Sequence, residues 1–358
     1  MWLTKEAMKI LLSILLAIIV NGNIYAQQKG DTTRLKNTSF YSYLLDANAV
    51  KAGQLLDSLN GPLSVKDQAV KHTFILRFKY GNDRSVYPEG KGEINGLVSI
   101  YKKYWRKSLL DPSGDFSAEL FNELTSFFKL SNSTAPATVS DTLDKYLKNY
   151  LAARNLKTTG FGKTGKLFDL LVWRAEKDTV YKFKPGAEEI SAPVVFMDGF
   201  ITLGWEEYAT MGVYYPGGWT TDKSLFCVKK AYNLNSEDFK ISYLAHEGRH
   251  FADKTLFAGL SDADLEYRAK LTEISLANKT IFSLLNFFIK NANRESQNAH
   301  SFADYQLINS LSQKIFSTEF VHDLERWKKL NPAQINSAAL QILNDDTQRL
   351  LKKYPATK

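Results

Sequence analysis

The sequence has a single cysteine, Cys227, among 358 residues, so no disulfide bond can form within the chain. This is compatible with export from the cytoplasm, where disulfides are permitted but not required. Cys227 lies in the apolar, strand-like run Leu225–Val228. That setting predicts a buried small hydrophobic residue rather than a catalytic thiol.

Long apolar runs are absent after the first 26 residues. The run Ile10–Val20 follows Lys5 and Lys9 and is too short for a membrane span of about 20 residues, but it is typical of a signal peptide. We predict cleavage after Ala26, with an uncleaved signal anchor as the alternative. The expectation is an exported protein, periplasmic or extracellular, without stable membrane insertion after cleavage.

The charge pattern gives no sign of a nucleic-acid-binding module. The net charge is +8, but lysine and arginine are scattered and do not form a basic face with interleaved aromatic residues. The segment Gly160–Lys166 has the G-x-x-x-x-G-K spacing of a phosphate loop, yet Leu167 replaces the Ser or Thr and a strand-like run follows. The sequence therefore predicts neither nucleic-acid nor nucleotide binding.

Histidine is also scarce, with five in the chain, and two of them form the motif His246-Glu247-Gly248-Arg249-His250. With so few histidines, H-E-x-x-H should arise by chance in roughly three such chains per thousand. On a helix, His246 and His250 leave the same face one turn apart, so both imidazoles can bind one Zn²⁺. Glu247 lies beside that face as a candidate general base.

The flanks favour a helix through the motif. The segment Asn235–Asp238 offers an N-cap and acidic first-turn residues, and an apolar stripe follows from Phe239 to Phe251 without proline. The alternative is a helix with two histidines on a polar face and no metal.

The motif resembles that of the zincin metallopeptidases, over about a fifth of the chain. The resemblance implies that His246 and His250 bind zinc and that Glu247 activates a water molecule on the metal. Zincins usually carry uncharged residues between the glutamate and the second histidine, and Arg249 departs from that pattern.

The third zinc ligand must come from further along the chain, because Phe251-Ala252-Asp253-Lys254 excludes the metzincin continuation. The gluzincin-like pattern takes a glutamate from a second helix, which here begins near Ser261 or Asp262. Glu266, in an E-x-x-A context, is the preferred ligand. Glu273 is the alternative third ligand or a group that supports one.

Two further residues are candidates for supporting roles. Asp253 lies three residues after His250, which predicts a carboxylate that orients a metal-bound histidine, or else a solvated helix residue. His300, with Tyr305 nearby, is placed after the glutamate helix as in thermolysin-like enzymes. It is a catalytic candidate for stabilising an oxyanion, and the alternative is an ordinary surface histidine.

The predicted fold class is α+β, mainly helical, with a small antiparallel sheet before the zincin-type helix. The expected regions are a signal peptide (1–26), a disordered linker (27–40), a helical N-terminal region (41–158) and a zincin-like catalytic domain with a helical C-terminal part (159–358). The sheet is expected from a hairpin over 167–184 that turns at Glu176–Asp178, and from strands at 193–197, 200–204 and 224–228. Asn331-Pro332 predicts the start of a last helix that reaches about Lys352.

The leading functional hypothesis is an exported zinc-dependent metallohydrolase that cleaves a peptide or protein substrate. The alternative is a non-catalytic, zinc-stabilised binding or assembly protein of the cell envelope. A third hypothesis is a helical interaction module without metal. Three protein ligands with an open fourth position would favour the enzyme, and four protein ligands would favour a structural site.

Overall fold

The computed structural model describes residues 34–82, 94–130 and 136–354, apart from 222, 258 and 297. The predicted signal peptide and residues 27–33 of the predicted linker lie outside this part of the chain. The fold is α+β and mainly helical, with small antiparallel sheets, as the sequence predicts. Within the described residues, no helix combines the length and the apolar character that a membrane crossing requires.

The helices and strands follow one another along the whole described chain. The helices are α1 (Phe40–Leu45), α2 (Ala49–Ser58), α3 (Val65–Phe74), α4 (Asn95–Leu110), α5 (Ser117–Phe127), α6 (Pro136–Ala152), α7 (Trp205–Ala209), α8 (His246–Leu256), α9 (Asp262–Leu276), α10 (Ile281–Asn291), α11 (Ala299–Phe316), α12 (Leu324–Lys328) and α13 (Pro332–Lys353). The strands are β1 (Lys157–Thr158), β2 (Gly162–Thr164), β3 (Leu167–Asp169), β4 (Leu171–Trp173), β5 (Ala175–Phe183), β6 (Ile190–Asp198), β7 (Thr202–Leu203), β8 (Gly218–Thr220) and β9 (Leu225–Val228).

These elements form two compact units. The first contains the chain up to Glu176 together with Met197–Gly217, and the second contains Lys177–Phe196 together with the chain from Gly218 onward. Residues 159–176 and 197–217 therefore group with the helical N-terminal region. The two units therefore do not meet at the single boundary that was expected after residue 158.

The first unit is built around a large aromatic core. Trp105 and Trp205 are fully buried, and their indole N–H groups donate to the carbonyl oxygens of Phe168 and Thr164, both at 2.8 Å. Buried indoles require such partners. Leu35 is also fully buried in this core, so from Leu35 onward the segment predicted as a disordered linker packs against the fold.

The phosphate-loop-like segment of the first unit is a β-hairpin. Gly162–Thr164 pairs antiparallel with Leu167–Asp169, and Gly165 takes a positive φ of 56° in the turn between them. A strand thus follows the glycines, as expected, and not the helix that a phosphate loop requires.

The sheet of the second unit has four strands in the order β5-β6-β9-β8, which leaves β5 and β8 at its edges. The strands expected at 193–197 and 224–228 are confirmed as β6 and β9, and Cys227 is fully buried in β9. The turn predicted at Glu176–Asp178 is wrong, because these residues lie inside β5. They are exposed on this edge strand, and charged edge residues give the same sequence signal as a turn.

The helix that carries the motif continues directly from a π-helical segment, Asp238–Ala245. Its first turn packs closely on the sheet. A side chain at Gly248 would place Cβ 2.5 Å from the ring of Phe183 and 3.4 Å from Cβ of Ala192. The glycine within the motif therefore permits the close approach of helix and sheet.

The later helices of the second unit begin with the caps that the sequence predicts. Ser261 and Asp264 form a capping box at α9, and Asn331 caps α13 with Pro332 in its first turn. Helices α9, α10, α11 and α13 enclose a second apolar core, which includes Leu271, Leu311 and the fully buried Trp327. The rigid packing of α9 against its neighbours fixes the glutamates that it presents to α8.

Candidate metal centre

Helices α8 and α9 bring His246, His250 and Glu266 into one buried cluster. The two Nε2 atoms of the histidines are 3.0 Å apart. The Glu266 carboxylate lies 3.2 Å from Nε2 of His250 through Oε1 and 3.5 Å from Nε2 of His246 through Oε2. All three residues are less than 9% exposed. Potential ligand atoms of the three predicted zinc ligands thus converge on one point.

This donor set fits zinc. With bonds of 2.0–2.1 Å, neighbouring donors of a tetrahedral zinc site are separated by about 3.4 Å. The three separations observed here bracket that value. In the described part of the chain, no fourth His, Cys, Asp or Glu joins the group. Two imidazoles and one carboxylate would therefore leave one coordination position open.

The electrostatics of the cluster favour added positive charge. Burial lowers the pKa of His246, but the carboxylates of Glu273 and Glu266 outweigh it and raise the pKa to about 9. Burial raises the pKa of Glu266, but His246 and His250 outweigh it and hold the pKa well below its ordinary value. A divalent cation between these donors would supply the charge that the carboxylates attract.

Glu273 lies behind His246 and not among the converging atoms. Its Oε1 is 2.5 Å from Nδ1 of His246, and it is buried. In the neutral imidazole, a hydrogen bond from Nδ1–H to this carboxylate favours the tautomer with its lone pair on Nε2, the atom that faces the cluster. The geometry thus favours Glu266 over Glu273 as third ligand. Nδ1 of His250 has no comparable partner among the described residues.

Asp253 neither forms a hydrogen bond with a motif histidine nor lies in solvent, contrary to the two sequence interpretations. It is completely buried, and its carboxylate accepts hydrogen bonds from Nε and Nη2 of Arg268 at 2.7 and 3.0 Å. Arg249 also donates to it, at 3.3 Å. Arg268 lies on α9, and no spacing along the sequence indicates it as a partner, whereas Arg249 lies at the i, i+4 spacing of one helix.

Arg249, the departure from the zincin pattern, belongs to the same buried network. Its guanidinium forms a bidentate pair with Glu188 at 3.0 and 2.6 Å, and its Nε donates to Thr272 at 3.1 Å. Arg268 extends the network to Asp346 on α13, at 2.8 Å. The arginine in the motif therefore joins the β5–β6 loop, α8 and α9 and contacts none of the three converging donors.

Glu247 contacts the sheet at its edge. It is 4% exposed, and its Oε2 accepts a hydrogen bond from the hydroxyl of Thr220, the last residue of β8. The sequence analysis missed Thr220. It lies 27 positions before Glu247, and no sequence spacing predicts which strand residue contacts a given helix residue.

His300 lies at the exposed side of the cluster. Its Nδ1 is 2.9 Å from Oε2 of Glu266, and its side chain is 39% exposed. Tyr305 instead stacks on Phe320, with an interplanar angle of 8°. The structure thus brings His300 to the cluster, while Tyr305 has an aromatic packing role.

A buried ion pair beside Glu266 was also missed from the sequence. Nζ of Lys270 lies 3.0 Å from Asp304 and 3.8 Å from Glu266. Lys270 is four residues after Glu266, and Asp304 is four residues after His300. On a helix, residues four apart lie on the same face, so this spacing could have indicated that Lys270 and Asp304 lie near the site.

Comparisons with models of known protein families, with curated proteins and with solved structures give no match. The chemical assignment of the cluster therefore rests on its own geometry. That geometry combines three converging donors, an adjacent carboxylate and a partly exposed imidazole.

Proposed function

We propose that this protein is an exported zinc-dependent hydrolase that cleaves peptide bonds. The observation that carries the proposal is the convergence of His246, His250 and Glu266 with Glu247 next to them in the chain. Export is proposed from the signal-like residues 1–26.

His246, His250 and Glu266 would hold the metal, and Glu273 would keep His246 in the required tautomer. Zinc, when bound, would acidify a water molecule and polarise a carbonyl group. Glu247 accepts a proton from the attacking water and returns it to the leaving amine. His300, at the exposed side of the cluster, donates a hydrogen bond to the oxygen that develops negative charge.

The position of β8 at an edge of the described sheet supports a peptide as the substrate. This strand is the last in the order β5-β6-β9-β8, and it ends at the residue that contacts Glu247. An extended peptide can add to a sheet edge through main-chain hydrogen bonds. Such pairing would bring a peptide bond next to the proposed general base.

A zinc-stabilised, non-catalytic protein is the second candidate, and the burial of the cluster favours it. His246, Glu247, His250 and Glu266 are each 4–8% exposed. A metal held there would link α8 to α9 whether or not a substrate reached it. In that case Glu247 would have no role in a reaction.

Metal content measured by mass spectrometry on the purified chain tests the proposal. We expect about one zinc per chain in the wild type and in the control His72→Ala, which changes an exposed histidine of the first unit. His246→Ala should bind none. Glu247→Gln should keep the zinc and lose at least about 100-fold of the hydrolytic rate on dye-quenched casein.

Each outcome separates the candidates. Failure of the wild type to bind zinc would refute both zinc hypotheses. Stoichiometric zinc without any Glu247-dependent hydrolysis, together with a large fall in melting temperature on chelation, would support the structural role instead.

A further inference from the structure

We propose that Thr220 is a positioning residue that holds the general base and links it to the substrate-binding edge of the sheet. This inference rests on the proposed function. Its first observation is the hydrogen bond from the Thr220 hydroxyl to Oε2 of Glu247. One carboxylate oxygen is thereby engaged, which leaves Oε1 to exchange a proton with water.

The register of β8 gives Thr220 its second role. Thr220 lies opposite Leu225 on β9, and the next pair out is closed by a hydrogen bond from Thr221 N to Ser224 O at 3.0 Å. Hydrogen-bonded and non-hydrogen-bonded pairs alternate along an antiparallel ladder. Thr220 is therefore in a non-hydrogen-bonded pair, and its main-chain N–H and C=O are directed away from β9.

These main-chain groups are those that an added peptide strand would use. A substrate that pairs with β8 at Thr220 binds the residue whose side chain orients Glu247. The position of the peptide along the strand and the direction of the carboxylate are then set by one residue.

The strand is held against the helical layer by a second contact. The hydroxyl of Tyr243, in the π-helical segment before the motif, donates to the carbonyl oxygen of Phe226 at 2.8 Å. A side chain at Gly218 would place Cβ 2.6 Å from that hydroxyl oxygen. Tyr243 thus fixes the β8–β9 pair relative to the start of α8. Because Thr220 belongs to β8, this contact also fixes Thr220 relative to Glu247.

Three variants separate the hydroxyl from the shape of the side chain. Thr220→Val removes the hydroxyl and keeps the β-branched shape that suits a strand. Thr220→Ser keeps the hydroxyl. Thr255→Val makes the same substitution at an exposed position of α8 and serves as the matched control.

The readout is the binding of acetohydroxamate to the cobalt(II)-substituted protein, followed by visible absorption. A hydroxamate binds a metal through two oxygens, and a neighbouring carboxylate accepts its proton. We expect Thr220→Val to retain cobalt and its melting temperature but to bind acetohydroxamate about tenfold more weakly. Thr220→Ser and Thr255→Val should bind within about twofold of the wild type.

Hydrolysis of quenched casein gives a second, independent readout. Thr220→Val should lower kcat about tenfold with little change in KM, because the peptide-binding main chain is retained. Thr220→Ser should restore kcat, because it keeps the hydroxyl that Thr220→Val lacks.

The inference is overturned if Thr220→Val binds acetohydroxamate as the wild type does while Glu247→Gln weakens binding; the proposed function then stands. If Glu247→Gln has no effect, or if the protein takes up no cobalt, the proposed function fails and the role of Thr220 fails with it.

Discussion

Arg249 is fully buried inside the H-E-x-x-H motif, and its charge is balanced within the protein. Its guanidinium lies against the carboxylates of Glu188 and Asp253, while Arg268 shares Asp253 from the other side. Removal of one member of a buried ion pair leaves an uncompensated charge in a medium that solvates it poorly. The residue that departs from the zincin pattern is thus explained by the packing of α8 against its neighbours.

We predict that Arg249→Met destabilises the protein by about 3 kcal/mol, because it leaves Glu188 without its partner and Asp253 with only Arg268. Urea unfolding at pH 7 measures the change. Arg326→Met, at an exposed position of α12, is the control and should change the free energy of unfolding by less than about 0.5 kcal/mol. Equal losses in the two variants would contradict the assignment of Arg249 to a buried network.

At this scale the sequence indicated the converging donors, with Glu273 and His300 beside them, but not the buried network around Arg249. His246, His250 and Glu266 follow from helical spacing and from the resemblance of the motif. Arg249 and Asp253 pair with each other at helical i, i+4 spacing, but their other partners, Glu188 and Arg268, lie on other elements. Thr220 lies on a strand. Such contacts depend on tertiary packing, which a spacing of residues along one helix does not contain.

Glu237 connects the start of the motif-bearing helical segment to the start of α10. Its carboxylate accepts hydrogen bonds from the main-chain N–H groups of Asn278, Lys279 and Thr280, at 2.5, 3.0 and 3.2 Å, and from the hydroxyl of Thr280 at 2.8 Å. A helix N-terminus has unpaired N–H groups and a partial positive charge. Glu237 therefore holds the turn that leads into α10, up to its N-cap residue Thr280.

We predict that Glu237→Gln destabilises the protein by about 1–2 kcal/mol at pH 7. Burial raises the pKa of Glu237, but the backbone hydrogen bonds outweigh it and lower the pKa. The stabilisation is thus complete above the unfolded-state pKa of about 4.3 and is lost as the pH falls through the lowered folded-state value.

Thermal unfolding between pH 7 and pH 3 checks this dependence. The difference between the wild type and Glu237→Gln should narrow as the pH falls. Glu319→Gln, at an exposed position, is the control and should match the wild type throughout. A difference that does not change with pH would show that the charge of Glu237 contributes nothing.

At the scale of elements, helices were easier to predict than strands. The caps of α9 and α13 are local features, and the sequence located both. In β5, by contrast, the charged residues 176–178 resemble a turn, although they continue an edge strand. The sheet pairing that keeps them extended comes from β6, which the local sequence does not reveal.

At the scale of the whole molecule, the first unit is discontinuous in sequence. Besides residues of the N-terminal helices, its core includes Val172 of β4 and Leu170 just before that strand. It also includes Trp205 and Tyr208 of α7. The strand β1 ends at residue 158 and pairs with β4. A cut after residue 158 therefore divides both the core and a sheet.

We predict that the fragment 41–158 does not melt cooperatively on its own, because it lacks the partner of β1 and the buried aromatic residues Phe40, Trp205 and Tyr208. The fragment 34–217 contains all the described elements of the first unit and is the control. Circular dichroism on heating checks both. A cooperative transition in the shorter fragment would show that the helices alone form a sufficient core.

The chain leaves the first unit at Lys177 and rejoins it at Met197, and this order affects when the core of that unit can form during synthesis. Trp205 and Tyr208 must leave the ribosome before the first core can close. At about 5–20 residues per second, this takes on the order of ten to forty seconds from residue 1. Throughout that time the chain ahead of them lacks a complete core.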